Sequence, residues 1–261
     1  MNDKIESCNT FDEKYVAIDI IRQPFRFDLP CSRIRRRVVD IIKGRKSIAD
    51  LGCGHGGSIY RFHKMNPTAA ITGYDYSEVA VRKAKELFGN ENISFIRLDF
   101  DIDPLPEKIF DLIYCTQVVE HVKSDGNFLD KIANALLDDG ILVLTTVYKK
   151  SWAWYFYRNA KGVTVVDPTH KREYTNIRSF LDLIEERNLM IIDHDINLVK
   201  YPLIDVFLKL LTRHFKNKVV YCLVNSFVVM LLRICLILPI PGYYNFQILA
   251  CKKGDVSCRK S

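Results

Sequence analysis

IADLGCGHGGS, residues 48–58, decides the fold. Four glycines, Gly52, Gly54, Gly56 and Gly57, stand directly after an apolar run and before a helical pattern. A glycine turn between strand and helix lets the backbone approach a ligand closely, because no Cβ intervenes. Read as Gly52-x-Gly54-x-x-Gly57 the stretch fits the dinucleotide fingerprint. Read as Asp50-x-Gly52-x-Gly54-x-Gly56, it places a carboxylate two residues ahead of the first glycine. A carboxylate there would repel a pyrophosphate, so the flanking residues must decide.

Working outward, the chain alternates. Strand patterns cover 47–51, 69–74, 93–98, 110–115 and 141–147. Between them lie helical patterns at 57–65, at 77–88 with Ser77 as N-cap, and at 129–137, the last stopped by Gly140. A basic helical pattern at 31–44 precedes them; a helix from Asn176 and strands at 189–198 and 244–251 follow. Short apolar strands separated by helices predict an α/β fold, a doubly wound, seven-stranded, mostly parallel sheet whose last strand is antiparallel. Ligands of such sheets sit beyond the carboxyl ends of the strands. The whole chain reads as one domain: an N-terminal helical segment (1–44), a core (45–200), an apolar helical insertion (201–242) and the last strand (243–252).

The strand ends carry the unusual residues. The second strand runs into Asp75 and Tyr76, a carboxylate suited to paired ribose hydroxyls. The third runs into RLDF, giving Asp99 to accept from an adenine amino group and Phe100 to pack on the ring. The fourth reads FDLIYCTQVVEHV, residues 110–122. In order and spacing these four motifs resemble the class I S-adenosylmethionine-dependent methyltransferases, in the small-molecule branch that includes ubiquinone-pathway O-methyltransferases. The resemblance covers roughly residues 45–200. It implies S-adenosylmethionine as cofactor, with Asp50, Gly52, Gly54 and Gly56 at the methionine end. Asp75 and Tyr76 would then hold the ribose, Asp99 and Phe100 the adenine, and Gln117 and Val118 would line the cofactor beside its methyl group.

A sulfonium methyl is already activated, so the protein must align a nucleophile and, for a hydroxyl, remove its proton. Glu120 and His121 after the fourth strand, and His170 in VDPTHKREYT (166–175), are the candidate bases, with Tyr174 behind them. In ubiquinone-pathway relatives a Glu-x-x-Glu-His run here binds a divalent cation; this chain has Gln117-x-x-Glu120-His121, and no metal is assigned.

Two stretches break the core pattern. SWAWYFYRN, residues 151–159, holds both tryptophans of the chain and suits an apolar pocket wall or a membrane interface. Residues 201–241 combine a basic amphipathic pattern, with Lys209, Arg213 and Lys216 on one face, and the apolar run VVYCLVNSFVVMLLRICLILPIP. Asn225, Ser226 and Arg233 interrupt that run, and the chain must return to the same sheet for YNFQILACK, so an interfacial cap is expected in place of a span. Of the net charge of +7, five units lie between Lys200 and Gly242. That local excess favours a membrane surface over nucleic acid as partner. The NPPY-type motif of amino-methylating enzymes is also absent after strand four. Eight cysteines without C-x-x-C pairs, and charges throughout the first thirty residues, fit a cytoplasmic protein in peripheral contact with the membrane.

The expected activity is therefore methyl transfer to a small, lipid-like or isoprenoid acceptor, at oxygen. The rival readings are methylation of a polar metabolite or polysaccharide precursor, and a non-catalytic cofactor-binding assembly protein.

Overall fold

The computed structural model describes residues 33–155, 157–158, 162–202 and 237–253. Within them a seven-stranded sheet is flanked by helices on both faces. In chain order the elements are α1 (Arg33–Lys43), β1 (Ser47–Leu51), α2 (Gly57–Met65), β2 (Ala70–Asp75), α3 (Glu78–Phe88), β3 (Ile93–Arg97) and β4 (Phe110–Thr116). After them come α4 (Asp125–Ala135), β5 (Leu136–Lys149), β6 (Tyr157–Arg158), β7 (Thr164–Val165), α5 (Ile177–Glu185), β8 (Leu189–Pro202) and β9 (Ile237–Lys252). The sheet order is β3-β2-β1-β4-β5-β9-β8, and β6 and β7 form a separate two-stranded ribbon. Strands β1 to β5 pair in parallel; β9 runs antiparallel to both neighbours. The expected doubly wound sheet with its antiparallel last strand is present.

Strand periodicity explains the two cores. Along β1, Ile48 faces one side with Ile34, Val38 and Ile42 of α1, Ile59 and Phe62 of α2, and Ala84 of α3. Its neighbours Ala49 and Leu51 face the other, with Phe128, Leu129 and Ile132 of α4 and Phe180 and Ile184 of α5. Alternate residues serve alternate faces, as a pleated strand requires. The chain leaves β1 toward β2 and β3, then returns to β4 on β1's other flank. The crevice between the carboxyl ends of β1 and β4 is thus the switch point where such sheets take ligands.

Several boundaries differ from the sequence reading for identifiable reasons. Helix α4 starts at Asp125, four residues earlier than its apolar pattern, because Ser124 caps it by accepting from the Asn127 N–H. Gly140 does not stop that helix. It lies in the first part of β5, where the β4–β5 register slips between the pairs Phe110–Leu136 and Leu112–Ile141. Strand β9 begins at Ile237, ahead of the expected 244, and β8 continues to Pro202. The aromatic stretch 151–159 becomes a turn and the short strand β6. Residues 1–32 and 203–236, including the basic face and most of the apolar run of the expected cap, lie outside the described residues, as do Phe156 and Asn159. Among the described residues no helix is long and apolar enough to cross a membrane. Cys53, Cys115 and Cys251 are buried thiols in no disulfide.

Gly73, in the middle of β2, shows how tightly α2 and the glycine loop sit on the sheet. A Cβ there would lie 2.4 Å from Ile59 Cδ1, 2.8 Å from Cys53 Sγ and 2.9 Å from Phe95 Cδ1. Gly73→Ala is expected to cost about 1–3 kcal/mol through overpacking. Urea unfolding should show a lower midpoint with an unchanged slope.

Candidate active site

The glycine loop takes its shape from three left-handed residues, Gly52 (φ 78°), Gly54 (φ 51°) and Gly56 (φ 80°). Gly52 and Cys53 both donate their N–H groups to the carbonyl of Tyr74, at 2.7 and 3.0 Å, tying the loop to the end of β2. Gly52 must also pass under the β4 loop. A Cβ on it would lie 2.3 Å from Val118 Cγ2, so only glycine fits on both counts. Gln117, beside Val118, is itself left-handed at φ 57°. Such a conformation in a residue with a side chain stores about 1–3 kcal/mol and recurs at ligand sites.

Three carboxylates line this edge. Asp50 is 2% exposed near the end of β1, Asp75 6% exposed at the end of β2, and Asp99 7% exposed just beyond β3. Asp75 works as a bracket: Oδ2 accepts from the Gly54 N–H at 2.8 Å and Oδ1 from the Ser77 N–H at 2.9 Å. Asp99 Oδ1 accepts from the Asp101 N–H, while its own N–H donates to Asp103 Oδ2. Burial pushes the Cys53 thiol well up, and the nearby charges of Asp75 and Asp50 push it further, so this cysteine is a packed thiol and no nucleophile. Tyr76 is half-buried under the Arg97 guanidinium, 5.5 Å from its ring centre. Phe100 packs into the core, its centroid 5.2 Å from that of Phe128. All ten residues expected at the cofactor occupy this one edge.

The candidate bases meet beside it. The carbonyl of Glu120 accepts from the N–H groups of Lys171 and Arg172, at 2.9 and 3.3 Å, bringing the 166–175 segment against the β4 loop. The rings of His121 and His170 consequently stand edge to face, 4.8 Å between centroids. Glu120 is fully buried. Its Oε2 accepts from Thr146 Oγ1 at 2.9 Å, and its Oε1 has no hydrogen-bond partner. Burial pushes its carboxyl up to about 7, outweighing the lowering effects of His170, of its own backbone and of Thr146. One ligand atom each from Glu120, His121 and His170 lies within 4.8 Å of the others. Gln117 stands apart from this group, its amide donating to Thr145 Oγ1 at 3.3 Å.

Glu173 belongs to the same cluster and is not among the residues singled out in the sequence. Its Oε1 lies 2.9 Å from His170 Nδ1 and accepts from the Val166 N–H at 2.7 Å; Oε2 faces Lys149 Nζ at 3.2 Å. Burial works to raise its carboxyl, but the hydrogen bond from His170, the Val166 N–H and the charges of His170 and Lys149 carry it below the usual range. The i, i+3 spacing from His170 was the available signal. Tyr174 is an anchor: its hydroxyl donates to Asp125 Oδ2 at 3.1 Å and its ring packs 3.9 Å from Phe180. Burial, then the Asp125 charge, raises its phenol far above the usual value, which suits a donor and not a base.

Residues 42–180, just over half of the chain, match the methyltransferase domain family. The chain is 29% identical over 119 residues to (S)-coclaurine N-methyltransferase of Papaver somniferum, covering 44% of this chain and 33% of that protein. It is 31% identical over 107 residues to the mitochondrial ubiquinone biosynthesis O-methyltransferase of Schizosaccharomyces pombe, covering 39% and 38%. The chain thus spans a third to two fifths of the length of these relatives. Haemonchus contortus phosphoethanolamine N-methyltransferase 2, solved with S-adenosyl-L-methionine, shares the fold at a TM-score of 0.60 and 15% identity, over 93% of this chain and 57% of that one.

Because Gly52 is held by both conformation and contact, Gly52→Ala should destabilise more than Gly57→Ala, whose Cβ would meet nothing within 4 Å. A difference of about 2–4 kcal/mol is expected from strain plus overpacking. Parallel thermal melts of the two variants check it.

Proposed function

The chain belongs to the methyltransferase domain family, and on that premise we propose that it transfers the methyl group of S-adenosylmethionine to the oxygen of a small, lipid-like acceptor at a membrane surface. The observation that carries the cofactor part is the set of three buried carboxylates, Asp50, Asp75 and Asp99, ranged around a left-handed glycine loop at the ends of adjacent parallel strands. Asp50 with the glycine loop takes the methionine end, Asp75 and Tyr76 the ribose, Asp99 and Phe100 the adenine side. Gln117 and Val118 line the path of the methyl group.

In the transfer, the acceptor oxygen attacks the methyl carbon and the carbon–sulfur bond breaks. The bonding pair stays on sulfur, leaving S-adenosylhomocysteine, and the acceptor's hydroxyl proton passes to a base. Glu120, His121 and His170 form the cluster able to take it. A built base favours oxygen as the methylated atom, since a neutral amine attacks without prior loss of a proton.

The lipid part rests on composition and exposure. Trp152 and Trp154 are 64% and 53% exposed on the turn after β5, and Leu238 is 51% exposed on β9. The backbone of that turn lies on β9, with the Trp154 N–H donating to the Pro241 carbonyl. Residues 203–236 contribute by sequence alone, with long apolar runs and Lys209, Arg213, Lys216, Lys218 and Arg233 against Asp205.

Asp75→Ala should weaken S-adenosylmethionine binding by about 1–3 kcal/mol, since the ribose hydroxyls lose their acceptor. Calorimetric titration decides this, and unchanged affinity or preference for NAD would refute the cofactor assignment. Incubation with methyl-labelled cofactor and a fractionated cell extract should place label in the lipid fraction. Label in polar metabolites, or in nothing, selects one of the rival readings.

Reversal of Lys209, Arg213 and Lys216 to glutamate should release the protein from anionic vesicles in flotation, each basic residue contributing about 1 kcal/mol. Wild-type protein that stays unbound at low salt would remove the membrane reading.

A further inference from the structure

We propose that Glu173 is a positioning residue for the methyl transfer: its carboxylate holds the His170 imidazole as the Nδ1–H tautomer, so that Nε2 takes the acceptor's proton. The reaction is that of the methyltransferase reading; the pairing of the two side chains stands on its own contacts.

The pair is held from both ends. The His170 and Glu173 side chains are 4% and 1% exposed, with Nδ1 2.9 Å from Oε1. On the histidine side, the His170 N–H donates to the Asp167 carbonyl at 3.1 Å. Asp167 Oδ1 in turn accepts from the N–H and the hydroxyl of Thr169, at 2.9 and 2.6 Å, so the turn that carries the ring is closed on itself. On the glutamate side, Oε1 accepts from the Val166 N–H at 2.7 Å. Lys149 Nζ stands 3.2 Å from Oε2 while donating to the Thr164 carbonyl at 2.7 Å.

These contacts fix the tautomer. Burial works against the Glu173 charge, but the hydrogen bonds from His170 and Val166 and the charge of Lys149 outweigh it and keep the carboxylate ionised. An ionised carboxylate oxygen can only accept. The hydrogen between the two groups therefore belongs to Nδ1, and in the neutral ring the lone pair is on Nε2. The two nitrogens of an imidazole point away from each other, so Nε2 is directed away from Glu173.

The same arrangement singles out His170 among the candidate bases. Proton uptake makes an imidazole a cation, and a carboxylate on its other nitrogen stabilises that cation more than a neutral oxygen does. The oxygens 3.3 Å from His121 Nδ1, the carbonyl and hydroxyl of Thr169, are neutral. Glu120, fully buried beside the ring, adds a second carboxylate whose charge is attracted to that of His170. In the step, the acceptor oxygen bonds to the methyl carbon as the carbon–sulfur pair moves onto sulfur, and the hydroxyl proton passes to Nε2. Glu173 keeps its charge throughout, and the imidazolium releases its proton to water between turnovers.

The test reads the full chain, labelled with 15N-histidine, by long-range 1H–15N NMR at alkaline pH, where imidazoles are neutral. The six histidines are told apart by single substitutions. His170 should show the Nδ1–H pattern, and Glu173→Gln, whose amide can turn its NH2 toward the ring, should move it to Nε2–H. Turnover is followed with methyl-labelled S-adenosylmethionine and the extract fraction that the wild-type protein labels. Glu173→Gln should lower kcat by about 100-fold or more while leaving the KM for the cofactor within about twofold. His170→Gln should lose about as much, and the double variant no more than either single one, because both act through one imidazole. The proposal is overturned by an Nε2–H tautomer at His170 in the wild-type chain, by full kcat in Glu173→Gln, or by losses that multiply in the double variant. The wild-type tautomer remains decisive if thermal melts show that Glu173→Gln unfolds. Titrating S-adenosylmethionine on the wild-type chain reads the methyltransferase assignment separately.

Discussion

The Asp75 carboxylate is the interaction on which the ligand edge depends. One oxygen holds the Gly54 N–H of the glycine loop and the other holds the Ser77 N–H at the start of α3. The main-chain carbonyl of Asp75 accepts from Leu98, carrying the connection to the end of β3. A single residue therefore sets the spacing of three successive strand ends. It is buried, so these hydrogen bonds are formed in a low dielectric and their loss would expose unsatisfied N–H groups. On the proposed assignment, an aspartate here would serve folding and ligand binding with the same carboxylate.

The cluster beside that edge is assembled differently. Its members come from β4's exit, from β5 and from the 166–175 segment, about fifty residues apart in the chain. Backbone hydrogen bonds make the junction: Lys171 and Arg172 to Glu120, and Tyr174 with Val147 and Lys149 in both directions. The side chains then form a connected polar run, Lys149 Nζ 3.2 Å from Glu173 and Glu173 2.9 Å from His170 Nδ1, with Glu120 buried beside them. The Lys149–Glu173 pair offsets part of the desolvation that burial imposes on that carboxylate.

The parts legible in the sequence are those with local causes. Glycine spacing, period-2 apolar runs and the caps at Ser77 and Asn176 each express a rule acting over a few residues, and β1, α2, α3 and α5 follow them. The carboxylates at strand ends were readable because parallel topology sends all those ends to one edge. Illegible features had partners far away in the chain. Gly140 resembles a helix stop until the register of β4 makes it part of a strand irregularity. The contact of Val118 with Gly52 depends on how two loops cross. Glu173 looks like one more surface charge in HKREY until folding buries it against His170 and Lys149.

Arg172 has a mechanical consequence. Its guanidinium donates to the carbonyls of Val119, Val122 and Lys123, at 3.2, 2.8 and 2.5 Å, and lies 3.6 Å from Asp125. The side chain thus rivets the loop after β4 to the segment carrying His170, over the same stretch that two main-chain bonds already join. Loops riveted at several points translate together or not at all. The turn after β5 hangs instead on main-chain bonds from Lys150 to Gly242 and from Trp154 to Pro241. The molecule thus gathers Glu120, His121 and His170 on a single jaw, whose parts keep register because none can shift alone.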